Sequence, residues 1–210
     1  MKFLLKIIAV LGLTMGLAQA VEQTPDVIIR DTVQDVLTVI KQDKAIQNGD
    51  QKKIVALVEG KILPHFDFVR MTRLAVGKSW RTATPEQKQA LVREFHTLLV
   101  RTYAKVFAVY RDQVVEIKPF RMAADADEAT VKTSINKPGA QPVLVDYEMI
   151  RTPAGWKAFD VIIEGVSMVT SYRGTFASEI DQGGIDRLIK VLADKNAASA
   201  NEPLKKAETK

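Results

Sequence analysis

The chain has 210 residues, 26% of them charged and 47% hydrophobic, which allows one full domain or two small ones and is too apolar for intrinsic disorder. Its formal charge is +5, with no Lys/Arg run longer than two and no aromatic stripe beside the few basic pairs, which argues against nucleic-acid binding. Cysteine is absent, so disulfides, thiolate metal sites, thiol nucleophiles and lipid anchors on an N-terminal cysteine are excluded.

Lys2 and Lys6 flank the start of an apolar run, Ile7 to Leu17, that ends in the small-x-small pattern Ala18-Gln19-Ala20. This reads as an export signal cleaved after Ala20. The alternative, a membrane anchor, needs about 20 apolar residues, and this run is shorter and contains Gly12 and Gly16. Residues 1–20 are therefore expected to be removed, leaving an exported protein best suited to a Gram-negative periplasm.

Thr24-Pro25-Asp26 carries the cap, first-turn proline and early acid of a helix start, and Ile29, Val33, Val36, Leu37 and Ile40 follow at helical spacing, predicting a helix over about 25–42. After the turn at Asn48-Gly49-Asp50, Ile54, Leu57, Val58 and Ile62 predict a second helix, stopped by Pro64. Phe68, Met71, Leu74 and Ala75 predict a third, short one closed by Gly77. Thr84-Pro85-Glu86-Gln87 is a capping box, and the stripe Leu91, Phe95, Leu98, Leu99, Thr102, Tyr103, Val106 and Phe107 predicts a long helix to about Tyr110.

From Gln113 the hydrophobic period falls to two. Val115 and Ile117, then Val131, Thr133 and Ile135, then Val143, Val145, Tyr147 and Met149, then Trp156 to Ile163 predict four strands. Breaks at residues 124–127, 138–139 and 153–155 make them an antiparallel meander, whose apolar face is read as Val115, Ile117, Val131, Ile135, Val145, Tyr147, Phe159, Val161 and Ile163. Val166, Val169, Phe176 and Ile180 predict a further helix, and Gly183-Gly184 breaks the chain before a last one with Ile185, Leu188, Ile189 and Leu192. From Lys195 on, Ala, Ser, Asn, Glu and Lys dominate, and residues 195–210 are expected to be a disordered tail. No internal repeat or long linker appears, so residues 21–194 are expected to form one α+β domain.

Chemistry is sparse. His65 stands at the proline break beside Asp67, and His96 follows Glu94 on the long helix, but no third partner or catalytic motif accompanies either. Two histidines about thirty positions apart make no metal ligand set. No catalytic or metal site is assigned. What stands out is the amount of apolar surface, which either fills a plain core or surrounds an apolar cavity.

The run Phe159-Asp160-Val161-Ile162-Ile163-Glu164-Gly165-Val166-Ser167-Met168-Val169, with Ser171-Tyr172-Arg173 and Phe176, resembles the signature of the MlaC-type periplasmic phospholipid-binding family, also called toluene-tolerance auxiliary proteins. Ile62-Leu63-Pro64-His65-Phe66-Asp67, Gly77-Lys78-Ser79-Trp80, Thr84-Pro85-Glu86-Gln87 and Phe95 to Tyr103 resemble it in the same order. The resemblance implies a curved antiparallel sheet of about four strands packed on helices, a nuclear-transport-factor-like cone, around an apolar cavity holding both tails of a glycerophospholipid. It implies no cofactor and no catalysis. As partners it implies an outer-membrane lipoprotein–porin complex and an inner-membrane ABC transporter bearing an MCE-domain protein, with the carrier maintaining outer-membrane lipid asymmetry.

On that basis Leu98, Leu99, Tyr103, Val145, Tyr147, Val161, Ile163, Val166, Val169 and Tyr172 are read as the lipid-binding wall, though plain core packing explains each residue type equally well. Val166 and Val169 are the leading candidates, and a Val166→Glu change is expected to leave a folded, lipid-free protein. Arg101 and Arg173 are candidate head-group or docking cations, with a solvated helix surface as the alternative. A cone-fold enzyme and an exported interaction module without ligand remain the other classes.

Overall fold

The computed structural model describes residues 23–104 and 113–200. The expected signal, the continuation of the long helix to Tyr110 and the last ten residues lie outside that range.

Helix α1 spans Pro25–Gln42, as its spacing predicts, and buries Ile28, Ile29, Val36 and Ile40. A single turn, α2 (Lys44–Gln47), is capped by Asp43, whose carboxylate accepts from Ala45 and Ile46 N–H. The second predicted helix comes in pieces. Helix α3 (Gln51–Leu57) widens to a π turn over Val58–Ile62 and then tightens to a 3-10 turn over Leu63–His65. Pro64 supplies the reason, since it has no N–H to donate and its ring crowds the carbonyl four residues back.

Helix α4 (Phe68–Val76) starts at Asp67, which accepts from Arg70 N–H at 2.9 Å, and ends at Gly77, whose φ of 67° suits glycine. Asp67 N–H donates to Ala158 O at 2.8 Å beside a parallel bridge from Phe66 to Ala158, which ties the helical layer to the sheet. Helix α5 (Pro85–Tyr103) has the full capping box, with Thr84 and Gln87 bonded reciprocally at 3.2 and 3.0 Å.

The sheet is antiparallel in the order β1 (Val114–Ile117), β2 (Glu128–Asn136), β3 (Val143–Thr152), β4 (Gly155–Ile163), β5 (Val166–Ser167). The fold is α+β with five strands, one more than the alternation shows, because Glu164 and Gly165 both have positive φ, 50° and 79°. Two successive positive φ values make the tight turn that folds β4 back on β5, with Ile163 opposite Val166. Val166 therefore belongs to a strand rather than to the predicted helix. A bulge departs from the alternation as well: Glu148 pairs with Asp160 but Met149 with Ala158, leaving Phe159 as the extra residue.

Ser167 caps the short helix α6 (Met168–Ser171). Helix α7 (Arg173–Ala200) is kinked at Gly183–Gly184, where Gly184 has φ 75°. Its second half runs past the expected end of the domain, because Asn196, only 5% exposed, donates to the Glu94 carbonyl at 2.9 Å, and Arg101 donates to the Asn196 carbonyl. Residues 195–200, expected in the disordered tail, are thus helical and docked on α5.

Among the described residues most buried apolar side chains fall into three clusters. Met71, Leu91, Phe95, Leu98, Val169, Phe176 and Leu188 join α4, α5, α6 and α7. Val36, Ile40, Ile46, Ile54, Val58 and Val100 join α1, α2, α3 and α5. Ile28, Ile29, Val131, Met149, Trp156 and Ala158 join α1 to the sheet.

A buried carboxylate ties β4 to α6. Asp160 accepts from Val161 N–H at 2.8 Å, from Val169 N–H at 3.0 Å and from the Ser167 hydroxyl. Replacing it with alanine strands a buried N–H at the start of α6, so Asp160→Ala is expected to cost about 2–4 kcal/mol. Urea unfolding should show a lower midpoint at unchanged slope; an unmoved midpoint would show that the three bonds hold nothing together.

Candidate functional site

Between the three clusters lies a cavity of about 270 Å³. An apolar cavity of about 150 Å³ is enough to take benzene, so this one has room for a larger apolar group. One wall is α1, through Ile29, Val33, Val36, Leu37 and Ile40, and the broken stretch after α3 adds Val58, Ile62 and Leu63. Phe66, Phe68, Met71, Leu99, Val100, Ala104 and Met168 form a second side, and the sheet contributes Val115, Ile135, Val145, Ala158, Val161 and Ile163.

The irregular elements are what make this wall continuous. Ala158 and Val161 are three apart and would point to opposite sides of a regular strand. The extra residue at Phe159 lets both face the cavity, and Phe159 itself packs in the cluster with Met71 and Phe95. In β3, Val145 and Tyr147 stand opposite Ile163 and Val161, so four wall residues form one patch.

Among the described residues four polar side chains interrupt the apolar lining: Thr32, His65, Tyr103 and Tyr147. Burial, helped by the neighbouring Tyr172 hydroxyl, pushes Tyr103 up to about 12. Burial alone pushes Tyr147 up to about 12. Thr32 and His65 stand between the cavity and a small polar cleft that also contains Gln23, Asp31, Asp35 and Lys61. Burial and the nearby Lys157 ammonium, which donates to the Pro64 carbonyl, hold His65 below the ordinary imidazole range. His96 packs edge-on against Phe68, with ring centroids 4.6 Å apart, and is also held low by burial, partly offset by Glu59. Among the described residues no group of three or more His, Asp or Glu is placed to hold a metal ion.

Of the ten residues read as the wall, Leu99, Tyr103, Val145, Tyr147, Val161 and Ile163 border the cavity. Leu98 and Val169 instead fill the helical cluster, and Tyr172 packs there edge-on against Phe95 at 5.1 Å. Val166 is 63% exposed at the sheet edge, one strand beyond Ile163. The carboxylate of Val166→Glu would be solvated there, so the desolvation argument for a lipid-free variant does not apply at that position. Arg101 and Arg173 are both engaged within the protein, Arg173 donating to the Leu74 carbonyl at 3.0 and 3.1 Å. The α1 stripe and Val58, Ile62 and Leu63 were not read as wall residues. Their spacing marks them as buried, but nothing in it separates a face against packed core from a face against free space.

Two outcomes follow from this geometry. A tryptophan at Val145, whose side chain borders the cavity and faces little solvent, should grow into the free space. Val145→Trp is expected to stay folded and to lose most of the fluorescence enhancement of a bound polyene fatty acid; undiminished binding would mean that the probe sits elsewhere. Because His65 and His96 are both held below 6.5, the unfolded chain takes up protons first as pH falls. Stability is then complete above about pH 6.5 and declines below it until the folded histidines protonate. Urea midpoints measured from pH 7.5 to 5.5 should fall, and a H65Q/H96Q double variant should flatten the decline; an equal slope in that variant assigns it to other groups.

The sequence matches the family model described as MlaC protein over residues 30–194. It is 21% identical over 186 residues to the intermembrane phospholipid transport system binding protein MlaC of Haemophilus influenzae, covering 87% of this chain and 85% of that one. It is 24% identical over 165 residues to the toluene tolerance protein ttg2D of Pseudomonas putida, covering 78% and 76%. A phospholipid-binding protein from Ralstonia solanacearum, solved in complex with a phospholipid, superposes with a TM-score of 0.79 at 39% identity, over 85% of this chain and 100% of that chain. With the match running from α1 through the second half of α7 and taking in every wall of the cavity, the chain belongs to the MlaC family.

Proposed function

We propose that the protein is a phospholipid carrier that takes the acyl tails of a glycerophospholipid into the cavity between α1, α5 and the sheet. The observation that carries this reading is the cavity itself, a lining of aliphatic and aromatic side chains where a folded domain would ordinarily have packed core. The phospholipid in the Ralstonia solanacearum relative and the transport role in the name of the Haemophilus influenzae relative support the choice of ligand.

The energetics suit a carrier. At about 0.8 kcal/mol per CH₂, two tails with some thirty methylenes forgo on the order of 24 kcal/mol when left in water. A soluble protein that moves such a molecule has to cover both tails. Relative to a bilayer the cavity need only match the environment the tails leave, so the net cost of exchange is small and docking partners can set its direction.

Residues 1–20 serve as a cleaved export signal, and the mature chain acts in the periplasm. There it shuttles phospholipid between an outer-membrane lipoprotein–porin complex and an inner-membrane ABC transporter bearing an MCE-domain protein, preserving outer-membrane lipid asymmetry. The chemistry is exchange without bond breaking, and no residue is assigned a catalytic role.

The test is native mass spectrometry of residues 21–210 purified from the periplasm without detergent, followed by organic extraction. A stoichiometric mass increment that extracts as glycerophospholipid is expected. A ligand-free mass, together with failure to take lipid from vesicles, would return the protein to the interaction-module or enzyme class.

A further inference from the structure

We infer that the Tyr147 hydroxyl donates a hydrogen bond to the bound lipid, to the carbonyl oxygen of an acyl ester, and so fixes how deeply the ester end sits in the cavity. The inference rests on the phospholipid reading above.

The four polar side chains of the wall differ in what surrounds them. Thr32 and His65 also border the polar cleft, where Asp31, Asp35 and Lys61 stand. Tyr103 has the Tyr172 hydroxyl beside it. Tyr147 has neither. It lies in the middle of β3 between Val131 and Val161, packs against the cluster built on Ile29, Val131 and Ala158, and borders the apolar cavity. Among the described residues no hydrogen bond joins its side chain to another residue. It keeps partial exposure, and burial accounts for the whole of its upward shift.

A hydroxyl that borders an apolar cavity and has no partner among the described residues is free to donate to a ligand placed there. Phenylalanine would fill the same space without a donor, so what the tyrosine adds to this wall is a hydroxyl available to an acceptor that arrives with the ligand. In a two-tailed phospholipid the ester carbonyls are the polar atoms closest to the methylenes. The charged phosphate is far costlier to bring into such a wall. An ether-linked lipid has the same tails and head group but lacks those carbonyls.

Delipidated protein, residues 21–210, is exposed to mixed vesicles of diester and diether phosphatidylglycerol with identical chains, and the bound lipid is extracted and quantified. The wild-type protein is expected to take the diester form in preference by about two- to tenfold, the yield of one net hydrogen bond. Tyr147→Phe should take both forms equally, with its lipid-free thermal midpoint no lower than that of the wild type. A tyrosine serving only as structure would instead lower that midpoint and leave the ratio alone. Equal uptake by the wild type, or an undiminished ester preference in Tyr147→Phe, overturns the assignment while leaving lipid binding intact. If neither protein takes up either lipid, the phospholipid reading fails, and this inference fails with it.

Discussion

Three buried clusters meet around α5 and the sheet without closing on one another, and the space they leave governs the rest of the architecture. Interiors are normally packed to the density of organic crystals, with few voids larger than a water molecule. Wall residues that face free space forgo the dispersion contacts a packed core would give them. A whole domain is stable by only about 5–15 kcal/mol. Each cluster must therefore hold its own elements, and any apolar ligand that binds the folded state alone raises stability by mass action.

Irregular stretches deliver part of the cavity wall, and each irregularity has a local explanation. Pro64 breaks the helical run, and the freed stretch delivers Val58, Ile62 and Leu63 to the wall. The extra residue in β4 carries Ala158 to the side of Val161 and sends Phe159 into the helical cluster, where the Arg70 guanidinium lies 4.2 Å from its ring centroid. Asp160, next to it, gathers two N–H groups and a hydroxyl and so anchors α6. At the far side Glu164 clasps Leu144 through its backbone N–H at 3.0 Å and through its carboxylate, holding the β4–β5 turn to β3. Regular helices and strands would have met in a filled core; the polar fastenings keep the walls apart and still ordered.

Most of the element plan was legible because it depends on local chemistry. The Thr84–Gln87 capping box, the proline at the start of α1, Gly77 and Gly184 act within a few residues, and the period-two alternation of β1 to β4 is equally local. The misreadings came where a side chain's direction depends on a distant partner. Phe159 looks like part of the Val161–Ile163 face until the register opposite Glu148 and Met149 is known. Val166 follows a helical apolar rhythm, but the two positive φ values before it turn the chain into a fifth strand and leave it exposed. Asn196 and its polar neighbours resemble a tail in composition, and only the Glu94 carbonyl one helix away shows otherwise. Val145, Tyr147, Val161 and Ile163 were legible because they alternate on one face of β3 and β4, and Leu99 and Tyr103 because they are four apart on the apolar stripe of α5. The α1 wall was missed because burial against a void and burial against a core demand the same residues.

That equivalence bears on selectivity. A smooth aliphatic wall rewards each buried methylene by about 0.8 kcal/mol whatever chain it belongs to, and one methylene more or less discriminates only weakly. Discrimination by orders of magnitude requires placed donors and acceptors whose partners are missing in the wrong ligand. Among the described residues the wall offers few: Thr32 and His65 face both the cavity and the polar cleft, Tyr103 is beside Tyr172, and Tyr147 faces the aliphatic space. On the carrier reading, such a site tolerates many acyl chains and reads the polar end of the lipid at only a few points. Chain identity then has little influence on which lipids are carried, and selection falls to the head group and to the surfaces that load and unload the protein.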